Sequence, residues 1–163
     1  MSQPPRPEVN IDAYATLRTA PLLRGFTEVG VHILAQIAQH RWVGRGTYLF
    51  RSGEPATALA FIARGQVNLL PREGGVPIGE LGPGEALAGF SLLAGGEHLI
   101  SAMAHTDHDV LEISVQAFRR LAQEKPQASL KLVLALATDL GERIQDSRVP
   151  LREFLLWQIS KRT

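Results

Sequence analysis

The hydrophobic residues in the middle of the chain occur in short runs that glycines interrupt. Between residues 42 and 113, glycine recurs at positions 44, 46, 53, 65, 74, 75, 79, 82, 84, 89, 95 and 96. Brief apolar runs bounded by glycine are typical of short β-strands joined by turns. The pattern therefore predicts strands over 47–50, 58–63, 66–70, 76–81, 99–104 and 110–113, short enough for a barrel or roll.

The segment before this region follows the spacing of a helix. Val31 and Leu34 recur at helical spacing, and Thr27 can accept a hydrogen bond as the N-cap. His40 and Arg41 then fall near the helix end, where basic side chains complement the helix dipole. The sequence therefore predicts one short helix ahead of the strands.

Helices resume after the strands. Ser114 can cap a helix over 115–124, and Pro126 stands where another helix can begin. The predicted fold class is α+β and mainly β: a jelly-roll-like β-roll with an N-terminal helix and C-terminal helices.

The segment over residues 127–148 carries two apolar rows. The first row alternates steps of three and four residues, as in a coiled-coil seam, and consists of Leu130, Val133, Ala137, Leu140 and Ile144. The second row, on another face, consists of Leu132 and Leu136. One interpretation packs one row on the roll and leaves the other for a second copy, giving a homodimer. The alternative buries both rows within one monomer.

The last residues, 149–163, form a short amphipathic segment beyond Pro150, which breaks or bends the helix. Its apolar residues include Phe154 and Trp157. They either close the fold against the roll or dock on a partner or a membrane surface. The chain then divides into a lead-in over 1–21, one domain over 22–148 that includes the long helix, and this tail.

Composition narrows the class of protein. A chain of 163 residues with 45% hydrophobic content can bury one core. The net charge is only +1, and the basic residues are spread along the chain. The sequence therefore lacks the concentrated positive charge that is typical of a nucleic-acid binder. The absence of cysteine excludes disulfides and thiolate sites and is compatible with a reducing compartment. No apolar run approaches the ~20 residues of a bilayer-spanning helix, so the sequence predicts a soluble, cytoplasmic protein.

The glycines also stand in a specific apolar context. Residues 46–67 read GTYLFRSGEPATALAFIARGQV, and residues 78–85 read IGELGPGE. Together with LLAGG at 92–96 and VLEI at 110–113, they resemble the cyclic-nucleotide-binding domains of catabolite-activator-type regulators, kinase regulatory subunits and gated channels. The resemblance extends over residues 22–148 and implies a β-roll with a non-enzymatic regulatory function.

In that family, a glycine and a glutamate open a phosphate-binding cassette. The glutamate accepts the ribose 2′-hydroxyl, and an arginine farther on pairs with the cyclic phosphate. Read without gaps, the resemblance places Ala88 at the glycine, Gly89 at the glutamate and His98 at the arginine, with Ser101 at a purine-side hydroxyl. A cyclic nucleotide is therefore expected to bind weakly if it binds at all, and the sequence names no other cofactor.

The candidate ligand-binding residues follow from this register and are Gly89, Phe90, Ser91, His98, Leu99 and Ser101. His98 has two interpretations. A protonated imidazole could pair with an anion, or a neutral histidine could lie on a surface strand, which is the more common case.

Other chemistry finds little support in the sequence. His105 and His108, beside Asp107 and Asp109, fall in a turn where histidines more often face solvent than bind metal, so no metal is predicted. No nucleophile elbow, carboxylate pair or Gly-Lys-Ser/Thr phosphate loop occurs, and an enzyme is not expected.

Two functions remain open. The first is a regulatory module that senses a small ligand, a cyclic nucleotide or an altered anion, and relays its presence through the C-terminal helix. The alternative is a ligand-independent scaffold that docks a protein partner through the long helix or the tail. Direct DNA binding is not expected, because residues 149–163 are too few for a winged helix-turn-helix.

Overall fold

A computed structural model describes residues 9–71 and 73–146. The predictions for the tail, including Phe154 and Trp157, lie outside these residues. The helices are α1 (Ala13–Arg18), a 3-10 turn (Pro21–Leu23), α2 (Glu28–Ile37), α3 (Phe90–Leu93), α4 (Val115–Glu124) and α5 (Pro126–Asp146). The strands are β1 (Gln39–Val43), β2 (Tyr48–Phe50), β3 (Ala58–Arg64), β4 (Val67–Leu70), β5 (Gly79–Leu81), β6 (Ala86–Leu87), β7 (Ser101–Ala104) and β8 (His108–Ser114).

The strands of the described residues form two antiparallel sheets. One has the order β1-β8-β3-β6 and the other the order β2-β7-β4-β5. The longest pairing joins β3 to β8, from Ala58 opposite Ser114 to Arg64 opposite Asp109. Together with the helices before and after the sheets, this arrangement confirms the predicted α+β roll.

Both faces of the two central strands of the first sheet, β3 and β8, are buried. Ile62 and Val110 lie in the apolar cluster between the two sheets, whereas Phe61 and Leu111 lie in the cluster that includes the helices. Successive residues of a strand point to opposite faces, so a central layer needs apolar residues at every position. This is why β3 is a continuous apolar run.

Side-chain caps begin the helices as predicted. Thr27 Oγ1 accepts a hydrogen bond from the Gly30 N–H at 3.1 Å, at the start of α2. Ser114 Oγ accepts one from the Ala117 N–H at 3.0 Å, at the start of α4. These bonds satisfy backbone donors that have no partner inside the helix.

The predicted end of the N-terminal helix is wrong. Helix α2 ends at Ile37, and His40 and Arg41 belong to strand β1. Arg41 Nη2 donates to Glu112 Oε1 at 2.7 Å, and His40 Nε2 lies 2.7 Å from Asp109 Oδ1. The two basic side chains therefore pair with carboxylates of β8 across the sheet instead of complementing a helix dipole.

Other boundaries differ because local patterns carry too little information. Strand β5 covers only Gly79–Leu81, since Pro77 has no N–H to donate to a ladder. Strand β6, Ala86–Leu87, is too short to show a period and was not predicted. Helix α1 falls within the lead-in predicted over 1–21, and its Leu17 is fully buried in the core.

Helix α5 separates its two apolar rows. Leu132 and Leu136 are buried in the core cluster, which confirms that one row packs on the roll. The other row remains outside: Leu130, Leu140 and Ile144 are about half exposed, Ala137 is exposed and Val133 is partly buried. In the described part of the chain, no helix combines the length and hydrophobicity needed to cross a bilayer.

Gly65→Ala is expected to destabilise the fold by about 3 kcal/mol or more in urea unfolding. Gly65 has a φ of +86°, and a Cβ there would collide with the Asp107 carbonyl oxygen and lie 2.6 Å from His108 Cβ. Gly53→Ala is the control, because Gly53 has the same φ of +86° but open space around it. It should cost only about 1 kcal/mol. Equal losses of stability in the two variants would show that close packing does not explain the need for glycine at position 65.

Candidate functional site

A cavity of about 220 Å³ lies between the cassette, the second sheet and helix α5. Here the cassette means residues 84–93, which the family resemblance relates to phosphate binding. The side chains that line the cavity are mostly apolar and include Leu69, Leu81 and Ile100 from the second sheet and its edge, Ala88, Phe90 and Leu93 from the cassette, and Leu136 and Leu140 from α5. Such a wall favours an apolar ligand surface.

The cassette backbone has a conformation that suits glycine where the sequence has alanine. Ala88 has a φ of +58°, and no other non-glycine residue of the described chain has a positive φ. This conformation costs an L-residue roughly 1–2 kcal/mol, so the surrounding fold must impose it. Gly89 follows with an ordinary φ of −58° and leads into the four-residue helix α3.

Helix α5 packs directly on the cassette at Gly89. A Cβ added to Gly89 would lie 2.6 Å from Leu136 Cδ2, much closer than a van der Waals contact. Leu136 therefore occupies the space that any side chain at residue 89 would enter. A side chain at residue 89 would therefore require Leu136 to adopt another rotamer or α5 to shift.

The two charged residues that line the cavity lie on successive turns of α5. Arg143 Nε donates to Asp139 Oδ2 at 2.8 Å. The Arg143 side chain is largely solvent-exposed and that of Asp139 is partly exposed, so this pair marks the polar mouth of an otherwise apolar space.

His98 is buried, with only 6% of its surface exposed, so the prediction of a surface histidine is wrong. Its ring stacks on Phe50 with centroids 3.7 Å apart and meets the edge of Phe90 at 6.3 Å. Burial lowers the pKa of His98, and the nearby Glu54 only partly opposes this effect. The imidazole is therefore neutral near neutral pH and supplies no standing cation.

His98 does not line the cavity beside α5. It lines a second, more polar cavity of about 350 Å³, together with Arg41, Glu54 and Glu112. Gly89 and Phe90 line the first cavity and His98 the second. The candidate ligand residues thus do not all converge on one space.

The remaining candidate residues have structural surroundings. Ser101 Oγ accepts a hydrogen bond from the Ser52 N–H at 2.9 Å. Ser91 is buried outside the cavity lining, and its Oγ has no hydrogen-bond partner among the described residues. Leu99 is 81% exposed. Of the six candidates, only Gly89 and Phe90 line the cavity beside α5.

The histidine and aspartate residues near β8 do not converge either. His108 is fully buried, contrary to the expected solvent-facing position, whereas His105 is exposed and lies 3.2 Å from the Asn68 side-chain nitrogen. Asp109 is buried between two basic side chains, and Asp107 accepts a backbone hydrogen bond. Among the described residues, no group of such side chains is arranged to hold a metal ion.

Sequence reasoning missed the contribution of α5 to the cavity. It assigned Leu136 to packing and did not consider Asp139 or Arg143. Helical spacing contains the signal, because residues three, four and seven positions apart share one face. Leu136, Asp139, Leu140 and Arg143 follow this spacing.

Comparison with known proteins agrees with the fold. Residues 40–125 match the family model described as the cyclic nucleotide-binding domain. The cyclic AMP receptor protein of Thermus thermophilus is 30% identical over 129 residues, which cover 77% of this chain and 60% of that protein. This chain thus spans less than two thirds of that relative's length.

Solved structures show the same similarity. The crystal structure of the Thermus thermophilus catabolite activator protein matches with a TM-score of 0.70 and 29% identity, over 84% of this chain and 63% of that one. A cyclic nucleotide-binding-like protein from Brucella abortus matches with a TM-score of 0.59 and 32% identity, over 69% of this chain and 98% of that one.

His98→Phe is expected to weaken the pH dependence of stability. The unfolded chain takes up this proton near the ordinary pKa of 6.5, whereas burial holds the folded-state pKa lower. The unfolded state therefore binds the proton first, and stability falls as the pH decreases below that value. Phenylalanine keeps the ring contacts and removes the proton site.

Urea unfolding at about pH 7.5 and about pH 5 measures this difference in stability. The change between the two pH values should be smaller in the variant but not absent, because burial also lowers the pKa of His108. An unchanged pH dependence would contradict the assignment of His98 as a buried, neutral ring.

Proposed function

Because this chain belongs to the cyclic nucleotide-binding domain family, we propose that it is a non-enzymatic regulatory module whose ligand occupies the cavity beside helix α5. The cavity lies between the cassette and that helix, so a bound molecule contacts both. A ligand that fits one position of α5 better than another shifts the helix towards that position. This shared cavity is the observation that carries the proposal.

The geometry supports a link between the cassette and the helix. Leu136 lies against Gly89 and is also part of the buried core. A ligand that enters beside Leu93 and Leu140 must either change the packing of α5 or fill the cavity that is already open beside it. Either response changes the free energy of the helix position.

The residues at the expected ligand-binding positions favour a molecule other than a tightly bound cyclic nucleotide. Gly89 supplies no ribose acceptor, and the neutral His98 supplies no standing cation. A hydrogen bond to a charged group contributes roughly 1.5–3 kcal/mol, so the loss of two such contacts weakens affinity by several powers of ten. Cyclic AMP nevertheless belongs in any test, since the Thermus thermophilus relative is named as its receptor.

Distance measurements between two introduced spin labels test the proposal directly. The chain has no cysteine, so Gln66→Cys on the roll and Glu142→Cys on α5 accept labels selectively. We expect a ligand from a panel of cyclic AMP, cyclic GMP and small organic anions to shift the distance distribution.

Leu93→Trp is the matched control, because it fills the cavity at a partly exposed position of α3. It should abolish both binding and the shift. A ligand that binds in the cavity without changing the distance would overturn the relay, and a panel in which nothing binds would favour the scaffold function.

A specific observation favours a second function, that of a scaffold which pairs with another copy of the chain. Leu130 and Leu134 are each 58% exposed, and Leu140 and Ile144 are about half exposed on the same helix. They lie within about a third of the circumference of α5, and an exposed apolar stripe of this kind favours a helix–helix contact.

Native mass measurement tests this second function. We expect a dimer for the wild type and a monomer for the double variant Leu130→Glu, Leu134→Glu, because four like charges would meet in the seam. Gln123→Glu, on α4, is the control and should stay dimeric. A monomeric wild type would contradict the homodimer.

A further inference from the structure

The cavity beside α5 has one charged end and no other polar side chain in its lining. Apart from Asp139 and Arg143, the residues around it carry only aliphatic or aromatic side chains, or none in the case of Gly89. Away from that charged end, no side chain of the lining can hydrogen-bond a ribose hydroxyl or read the edge of a purine. The body of a fitting ligand is therefore a hydrocarbon.

The size of the cavity limits that hydrocarbon. A closed apolar cavity of ~150 Å³ holds a benzene ring. A space of about 220 Å³ then accommodates one ring with a short substituent, or an alkyl chain of similar volume. A nucleotide, with its fused base, sugar and phosphate, exceeds this volume unless α5 moves.

Arg143 determines which charge the polar group of the ligand should carry. Its Nε donates to Asp139, and its terminal nitrogens make no other hydrogen bond within the described residues. A guanidinium that has one edge in use keeps donors for a second planar acceptor, and a carboxylate matches that geometry. Asp139 stands beside it, so a second negative charge on the ligand would be repelled.

We propose that the cavity binds an apolar monocarboxylate of about six to nine carbons, with its hydrocarbon against the leucine wall and its carboxylate on Arg143. The proposal rests on the proposed regulatory function and names the ligand class for the same site. The carboxylate stays at the exposed mouth of the cavity, so binding does not require full removal of its water.

Calorimetric titration with matched probes tests the ligand class. The probes are 4-ethylbenzoate, octanoate, the neutral 4-ethylbenzamide and cyclic AMP. We expect both carboxylates to bind the wild type and 4-ethylbenzamide to bind about tenfold more weakly than 4-ethylbenzoate. If only one of the two carboxylates binds, the proposal stands, and the ligand class narrows to aromatic carboxylates or to alkyl carboxylates.

Arg143→Gln separates the charged contact from the apolar one. The variant should bind 4-ethylbenzoate about tenfold more weakly than the wild type does and should bind 4-ethylbenzamide with unchanged affinity. Arg119→Gln, at an exposed position of α4, is the control and should change neither. Leu93→Trp should reduce the binding of both probes, and Ile100→Trp provides a second filled cavity if the first variant does not fold.

The outcomes distinguish this proposal from the proposed function. Equal affinities for 4-ethylbenzoate and 4-ethylbenzamide would overturn the carboxylate assignment. So would an Arg143→Gln variant whose affinity for 4-ethylbenzoate is unchanged. Tighter binding of cyclic AMP that Leu93→Trp abolishes would overturn the ligand class and leave the regulatory function standing. No binding by any carboxylate at millimolar concentration would overturn the proposal, while the spin-label panel would still test the function separately.

Discussion

The contact between Gly89 and Leu136 is the constraint on which the rest of the site depends. Helix α5 can approach the cassette because residue 89 has no side chain, and Leu136 Cδ2 takes the space that a Cβ would need. The predicted replacement of the glutamate and the close approach of the helix therefore involve the same position. An acidic side chain at position 89 would require Leu136 to adopt another rotamer or α5 to shift.

The position of α5 follows from this contact together with the burial of Leu132 one turn earlier. With these two leucines inward, helical geometry turns Leu130 and Leu134 towards solvent. The same rotation places Leu140 and Arg143 at the cavity. The inward packing of these two leucines thus accounts for the apolar wall, for the charged mouth and for the outward row that a second copy could cover.

Local sequence patterns predicted the parts of this fold that local physics determines. The caps at Thr27 and Ser114 and the separation of the two rows on α5 follow from neighbouring residues, and the structure confirms them. Strand β1 was missed because Arg41 finds its partner Glu112 on a strand distant in sequence. His98 was misplaced for the same reason, since Phe50, which covers its ring, lies in another segment.

The candidate site was predictable only in outline. The family resemblance predicted where the cassette lies and which ligands are replaced, but it could not show that Leu136 fills the space beside Gly89. That contact joins residues far apart in the chain and has no local signature. A double-mutant cycle in urea with Gly89→Ala and Leu136→Ala measures it most directly. Our account predicts that Gly89→Ala costs about 1 kcal/mol in the wild type and little in the Leu136→Ala background. Equal costs in both backgrounds would contradict the packing of α5 on the cassette.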